Sequence, residues 1–282
     1  MSMTRLEGKV ALVTGSTDGV GRLVAARLGQ AGAHVLVHGR DRTRGERVVA
    51  DIKASGGTAE FLVADLSALG EVRRLAEAVQ QKADRLDLLV NNAGIGTGGP
   101  SGARQESADG HELRFAVNYL SQFLLTHLLL PLLKRRAPAR IVNVASAGQQ
   151  AIDFSDVMLT RGYSGVRAYC QSKLAQILFT VDLAGALDDS GVTVNTLHPA
   201  TYMNTTMVRL AGVTPWSTVE QGADAILNLA VSPALEGQSG LYFNGLNETR
   251  ADAQAYDPDA RQRLRTLSLQ LTGLSAGTAA QS

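Results

Sequence analysis

Short runs of apolar and β-branched residues recur along the chain. Between them lie longer stretches whose apolar positions return every three to four residues. The short runs fall at 9–14, 34–38, 59–63, 86–90, 140–145, 192–197 and 240–243, and they read as strands. The longer patterns, at 20–31, 43–54, 68–83, 111–135, 168–187 and 219–231, read as helices. Runs such as VALV, IVNVA and VTVNTL carry few charges, as strands buried on both faces do. Strands alternating with helices imply βαβ units, and right-handed crossovers wind them into a parallel sheet with helices on both faces. The pattern therefore predicts an α/β fold with a doubly wound, seven-stranded parallel sheet in a single domain. Its core spans 6–200, a loop spans 201–216, and a C-terminal extension over 245–282 leaves the rhythm and carries a surface helix at 257–271.

Composition narrows the picture mainly by exclusion. With 45% hydrophobic and 19% charged residues the chain is globular rather than disordered. Its 27 Lys and Arg nearly balance 26 Asp and Glu, so charge gives no argument for nucleic acid or an anionic membrane as partner. The single cysteine, Cys170, excludes a disulfide framework, and no cluster of His, Cys, Asp or Glu has metal-ligand spacing, so no metal is assigned. The most membrane-like window, FLLTHLLLPLL at 123–133, contains His127 and Pro131. It falls short of the roughly 20 residues a span needs and reads as a buried helix. The expectation is a cytoplasmic chain with no membrane span.

The first strand runs into Thr14, Gly15, Ser16, Thr17, Asp18, Gly19, Val20 and Gly21, and then into a helix. A dinucleotide pyrophosphate needs free backbone N–H groups and the positive end of a helix dipole at such a place. Side chains at Gly15, Gly19 or Gly21 would obstruct the turn, the phosphate or the helix–strand contact. The spacing, TGxxxGxG, resembles that of the short-chain dehydrogenase/reductase family, which implies a Rossmann fold and contacts from Gly15, Ser16, Thr17, Gly19, Val20 and Gly21 to the cofactor. Two further segments extend the resemblance: Asp65-Leu66 after the third strand, where the family's Asp meets adenine, and the NNAG of Asn91, Asn92, Ala93 and Gly94 after the fourth. After the second strand the chain reads His38-Gly39-Arg40-Asp41-Arg42, with glycine where a NAD-binding unit offers an acid. The guanidinium of Arg40 suits a 2′-phosphate, with Arg22, Arg42 and Arg44 nearby in sequence, so NADP(H) is the expected cofactor. The alternative is a solvated basic turn with Asp41 on the ribose of NAD.

Tyr169 and Lys173 form a YxxxK at the start of a helical pattern, which stacks phenol and ammonium on one face. A positive charge about 5 Å away at an effective dielectric of about 20 favours phenolate by roughly 3 kcal/mol, about two pKa units. Ser146 stands at the C-terminal end of a strand, where ligands bind in such sheets, and Asn118 is a neutral amide inside a leucine-rich helix that needs a partner. By the resemblance Tyr169 exchanges the proton with the carbonyl or alcohol oxygen, and Ser146 polarises that oxygen. Lys173 lowers the tyrosine pKa and holds the nicotinamide ribose, and Asn118 anchors a water of a proton relay. The family's Pro-Gly becomes Pro199-Ala200 here. Thr201, Thr205 and Thr206 compete for the nicotinamide amide, with Thr201 the first choice.

The segment between Ser146 and Tyr169 is longer than in most members of the family and resembles the retinol-dehydrogenase-like and WW-domain-oxidoreductase-like branch. It offers Phe154, Met158, Leu159 and Tyr163 to a substrate, and 201–216 offers Tyr202, Met203, Met207, Leu210 and Trp216. Met and aromatic side chains suit an adaptable apolar pocket. The implied activity is an NADP(H)-dependent reductase or dehydrogenase interconverting a bulky hydrophobic ketone or aldehyde and its alcohol. Weighed against it are a NAD-dependent alcohol dehydrogenase, a non-catalytic dinucleotide sensor on the same fold and an enzyme of the epimerase/dehydratase branch. The resemblance also implies a homodimer or homotetramer.

Overall fold

The least charged runs of the sequence form the centre of the sheet. In the computed structural model, which describes residues 5–98 and 102–275, the chain begins with β1 (Val10–Val13), α1 (Gly19–Gln30), β2 (His34–Gly39), α2 (Arg42–Ala54) and β3 (Thr58–Val63). It continues through α3 (Leu69–Lys82), β4 (Leu88–Asn91), a π-helical stretch (Phe115–Leu120) leading into α4 (Ser121–Arg135), β5 (Ala139–Val144) and α5 (Gly165–Ala186). The last elements are β6 (Val192–His198), α6 (Thr206–Leu210), α7 (Val219–Val231), β7 (Tyr242–Asn244), β8 (Asn247–Thr249) and α8 (Pro258–Thr272). The predicted core segment includes 99–101 and the predicted extension includes 276–282, and these lie outside the described residues.

The strand order is β3-β2-β1-β4-β5-β6-β7-β8, and every pair is parallel except β7 with β8. The sheet thus has eight strands, not the seven expected. Gly245, at φ +60°, turns the chain so that Asn247–Thr249 folds back on β7 as a hairpin. Asn247-Glu248-Thr249 is polar and fully exposed, so it carries no apolar signal. The predicted helix over 111–135 divides into the π-helical stretch and α4, and α6 forms inside the segment read as loop.

Alternation along each strand sends side chains to two cores. Leu12, Leu36, Leu89 and Ile141 face one side, packing with Phe123, Leu174 and Leu264 of α4, α5 and α8. Val13, Val37, Val90 and Val142 face the other, against Val24 and Leu28 of α1 and Ile226 of α7. The C-terminal helix, expected on the surface, buries Ala260 and Leu264, and its Ser268 Oγ meets Tyr119 Oη at 2.7 Å. The continuous helix Phe115–Arg135 is 21 residues, long and apolar enough to cross a membrane, but 89% of its apolar window is buried inside the protein. It serves as a core helix here.

Candidate active site

The glycine turn is held from beneath by the loop after β4. Thr14 Oγ1 accepts the backbone N–H groups of Asn92 and Ala93, each at 3.0 Å. The Asn92 amide donates to the carbonyl oxygens of Thr14 (2.9 Å) and Gly15 (3.1 Å). A Cβ on Gly15, which sits at φ +63°, would stand 2.8 Å from Ala93 Cα, and one on Gly21 would collide with the Asn92 amide. Asn92 and Ala93 therefore shape the turn as well as flanking it. Ser16 is buried, and its hydroxyl donates to Val13 O at 2.7 Å. Asp18 caps α1, leaving Gly19, Val20 and Gly21 as the first residues of a helix whose N-terminus suits an anion.

At the end of β2, Gly39 leaves room for Thr17, whose Cγ2 would lie 2.5 Å from an added Cβ. Arg40 extends outward, 69% exposed, with Nη1 3.7 Å from Asp65 Oδ2. Asp65 in turn accepts Ser67 N at 2.9 Å, and Leu66 beside it is buried. Arg22, Arg42 and Arg44 are each paired with a carboxylate: Asp51, Glu46 and Asp41 respectively. Asp41 also caps α2 through Arg44 N.

Beyond these, β5 and α5 bring the predicted reactive groups together. The Ser146 hydroxyl and the Tyr169 ring both border Gly148, whose added Cβ would lie 3.5 Å from Ser146 Oγ and 3.6 Å from Tyr169 Cε1, and Ser146 Oγ accepts Gly148 N at 3.0 Å. Lys173 Nζ lies 5.8 Å from the Tyr169 ring centroid and donates to Val144 O at 2.9 Å. It faces Gly94, where an added Cβ would come within 3.4 Å of Nζ. Asn118 sits in the π-helical stretch, its Oδ1 accepting Ile95 N at 2.7 Å and its Nδ2 donating to Ile95 O (3.1 Å) and Ser172 Oγ (2.9 Å). It closes the loop after β4 like a neighbouring strand. The expected lowering of the tyrosine pKa is not what the cofactor-free chain displays. Burial pushes the Tyr169 phenol up, the Ser146 hydroxyl offsets part of that rise, and burial draws Lys173 down to about 7. Desolvation disfavours the charged form of each group and dominates both shifts.

The family model for short chain dehydrogenase matches residues 9–212. The chain belongs to the short chain dehydrogenase family. Among relatives, human Retinol dehydrogenase 11 is 38% identical over 286 residues, covering 97% of this chain and 88% of that one. A protein of Mycobacterium paratuberculosis superposes with a TM-score of 0.80 at 28% identity, covering 96% of both chains. The Pseudomonas aeruginosa RhlG/NADP active-site complex superposes at 0.70 with 31% identity, covering 85% of this chain and 95% of that one. This short chain dehydrogenase is thus an oxidoreductase, retinol-dehydrogenase-like in sequence, from a family that uses a nicotinamide dinucleotide.

The dehydrogenase's remaining predicted residues divide between mouth and packing. Tyr202, at φ +46°, makes an edge contact with Trp216 at 5.3 Å, and Met207 rests against Gly96. Leu210 and Trp216 are 78% and 76% exposed. Phe154 lies under the Arg263 guanidinium of α8 at 4.5 Å, and Met158 Sδ accepts Glu112 N at 3.4 Å, so both are engaged in packing. Thr201, two residues after Pro199, meets His198 Nε2 at 3.0 Å. Thr205 caps α6, and Thr206 donates to Asp18 Oδ2 at 2.7 Å. Cys170 is half-buried with its thiol pushed up, a poor nucleophile.

Sequence reading missed a buried network beside the site. Tyr163 Oη donates to Glu112 Oε1 at 2.9 Å and meets Arg114 Nη1 at 2.8 Å, while Arg114 Nε donates to Gly96 O at 3.0 Å. Glu112 and Arg114 are 1% and 2% exposed. Two opposite charges bracketing an apolar helix start in HELRFAVN were the available signal.

Proposed function

We propose that this dehydrogenase is an NADP(H)-dependent oxidoreductase that interconverts a bulky hydrophobic ketone or aldehyde and its alcohol, acting as a reductase. The observation that carries the reading is the convergence of Ser146 Oγ and the Tyr169 ring beside Gly148, with Lys173 buried 5.8 Å from that ring. The cradle fits a dinucleotide, since Cβ atoms on Gly15 or Gly21 would fill it against Ala93 and Asn92. Backbone N–H groups at Gly19, Val20 and Gly21, with Ser16 and Thr17, would hold the pyrophosphate. Asp65 and Leu66 would meet the adenine, Asn92–Gly94 the ribose side, and Pro199 and Thr201 the carboxamide. The Arg40 guanidinium would meet a 2′-phosphate. Asp41 is turned toward the α2 cap and Arg44, which makes it a poorer partner for a ribose hydroxyl and favours NADP(H) over NAD. The NADP held by the Pseudomonas relative supports the same choice.

When bound, the dinucleotide supplies or accepts the hydride. Ser146 hydrogen-bonds the substrate oxygen, and Tyr169 transfers a proton to it in reduction or removes one in oxidation. Burial keeps the phenol protonated at neutral pH, which suits reduction. Lys173 would hold the nicotinamide ribose hydroxyls, and Asn118 fixes the loop at Ile95. The apolar side chains of Tyr202, Met207 and Trp216 line the mouth for an apolar carbonyl, in keeping with the name of the retinol dehydrogenase relative.

The test follows reduced-nicotinamide absorbance across a panel of hydrophobic ketones and aldehydes, with NADPH and NADH in parallel. Tyr169→Phe is expected to lower kcat at least about a hundredfold while NADPH still binds. Arg40→Ala is expected to raise the KM for NADPH about tenfold and leave that for NADH nearly unchanged. Turnover retained in Tyr169→Phe overturns the catalytic assignment, and a lower KM for NADH than for NADPH in the wild type overturns the cofactor assignment.

A further inference from the structure

The chain from 147 to 164 forms no helix or strand, yet its backbone is gripped at several points from elsewhere in the fold. Immediately after β5, Ser146 O accepts two donors, Tyr242 Oη and Gln149 Nε2, each at 3.2 Å. Gln149 Nε2 also donates to Tyr242 Oη at 3.0 Å, and Gln149 Oε1 accepts Asp252 N at 2.8 Å. Further along, Gln254 Oε1 accepts Ile152 N at 2.6 Å while its Nε2 donates to Ile152 O at 3.1 Å. A glutamine amide thus pairs with one residue's backbone as an adjacent strand would. Tyr242 is only 4% exposed, and burial pushes its phenol up to about 12, so it remains a donor. Tyr242, Asp252 and Gln254 all lie beyond residue 212, where the family match ends.

We infer that Tyr242, Gln149 and Gln254 are positioning residues for Ser146, a rear support through which the C-terminal part of the chain sets the serine hydroxyl against Tyr169. The inference rests on the reading of Ser146 and Tyr169 as the groups that bind the substrate oxygen. Two donors on the Ser146 carbonyl fix its peptide plane, and Gly148 N on its Oγ fixes the hydroxyl relative to that plane. Gln254 holds the next few residues, so the loop does not swing about Ser146. A misplacement of about 1 Å at such a group costs up to about a hundredfold in rate.

If these bonds only satisfied loop backbone, their removal would lower stability and leave catalysis untouched. Tyr242→Phe keeps the buried ring and removes one hydroxyl, and Gln254→Ala removes the clamp at Ile152. For both, the full-length protein is measured by amide hydrogen exchange over 146–154, thermal midpoint, NADPH affinity, and kcat and KM for the best carbonyl. The expected result is exchange over 146–154 accelerated about tenfold and kcat lowered about tenfold, with NADPH affinity retained and the substrate KM changed less than kcat. Unchanged exchange in both variants overturns the support, as does faster exchange with wild-type kcat. A wild type that turns over no carbonyl overturns the reductase reading instead, and with it the role in that reaction, whatever the exchange shows.

Discussion

A neutral imidazole adds to the hold on the glycine turn. His38 Nδ1 accepts Gly15 N at 3.1 Å, so the ring proton resides on Nε2, and complete burial pulls the imidazole down to about 4. The unfolded chain takes up a proton on this residue near its ordinary value of about 6.5, and the folded chain resists until about 4. Between those values the unfolded state binds more protons, so stability falls as pH falls, by at most about 3 kcal/mol in all. Urea unfolding across this window is expected to show that loss. His38→Asn, which offers an acceptor without a titrating ring, is expected to flatten it. An unchanged slope in the variant would assign the loss to other groups. No pattern in the sequence marks His38, because the chemistry of a ring nitrogen accepting a glycine N–H exists only once β1 and β2 pair.

The elements differ in how far they could be read from the sequence. Strands β1, β4, β5 and β6 were legible because burial on both faces leaves runs with few charges, and the Tyr169–Lys173 spacing was legible because a helix converts it into one face. The π-helical stretch was not, since an apolar helix keeps the same hydrophobic residues whether a turn has one residue more or fewer. Five-residue α6 and the polar β8 lack the length or apolar content for a period to register. The Gln254–Ile152 clamp joins residues 102 apart, and one sequence contains no trace of such a meeting. The charged entry to the π-helical stretch gives the sharpest test at this scale. Arg114→Met leaves the Glu112 carboxylate buried without its guanidinium and is expected to cost about 3–5 kcal/mol in urea unfolding. The double variant Glu112→Gln, Arg114→Met, which removes the stranded charge, is expected to recover part of that loss. If the double variant is less stable than Arg114→Met alone, the charge argument fails.

Across the whole molecule, the glycine turn and the 201–216 segment are mechanically joined, since Thr206 of α6 donates to the Asp18 cap of α1. Beyond that bond the segment from Tyr202 to Trp216 exposes Met207, Leu210 and both aromatic rings. Covering Trp216 with an apolar substrate removes surface worth about 1.5–3 kcal/mol from water. Trp216→Ser is therefore expected to raise the KM for a hydrophobic carbonyl about tenfold or more while leaving NADPH affinity intact, as steady-state kinetics and a binding titration can check. A KM unchanged for every apolar substrate would remove Trp216 from the mouth. The two ends of the sheet have a different consequence. On one side β8 offers only three residues, about 10 Å of backbone, to any incoming strand. On the other, β3 carries Glu60 in an ion pair with Lys82 and beside His34 Nε2 at 3.4 Å. Short length and fixed charge are the two common guards against strand-by-strand growth between copies. An open sheet guarded in this way is expected to resist fibril growth from its rims at high concentration.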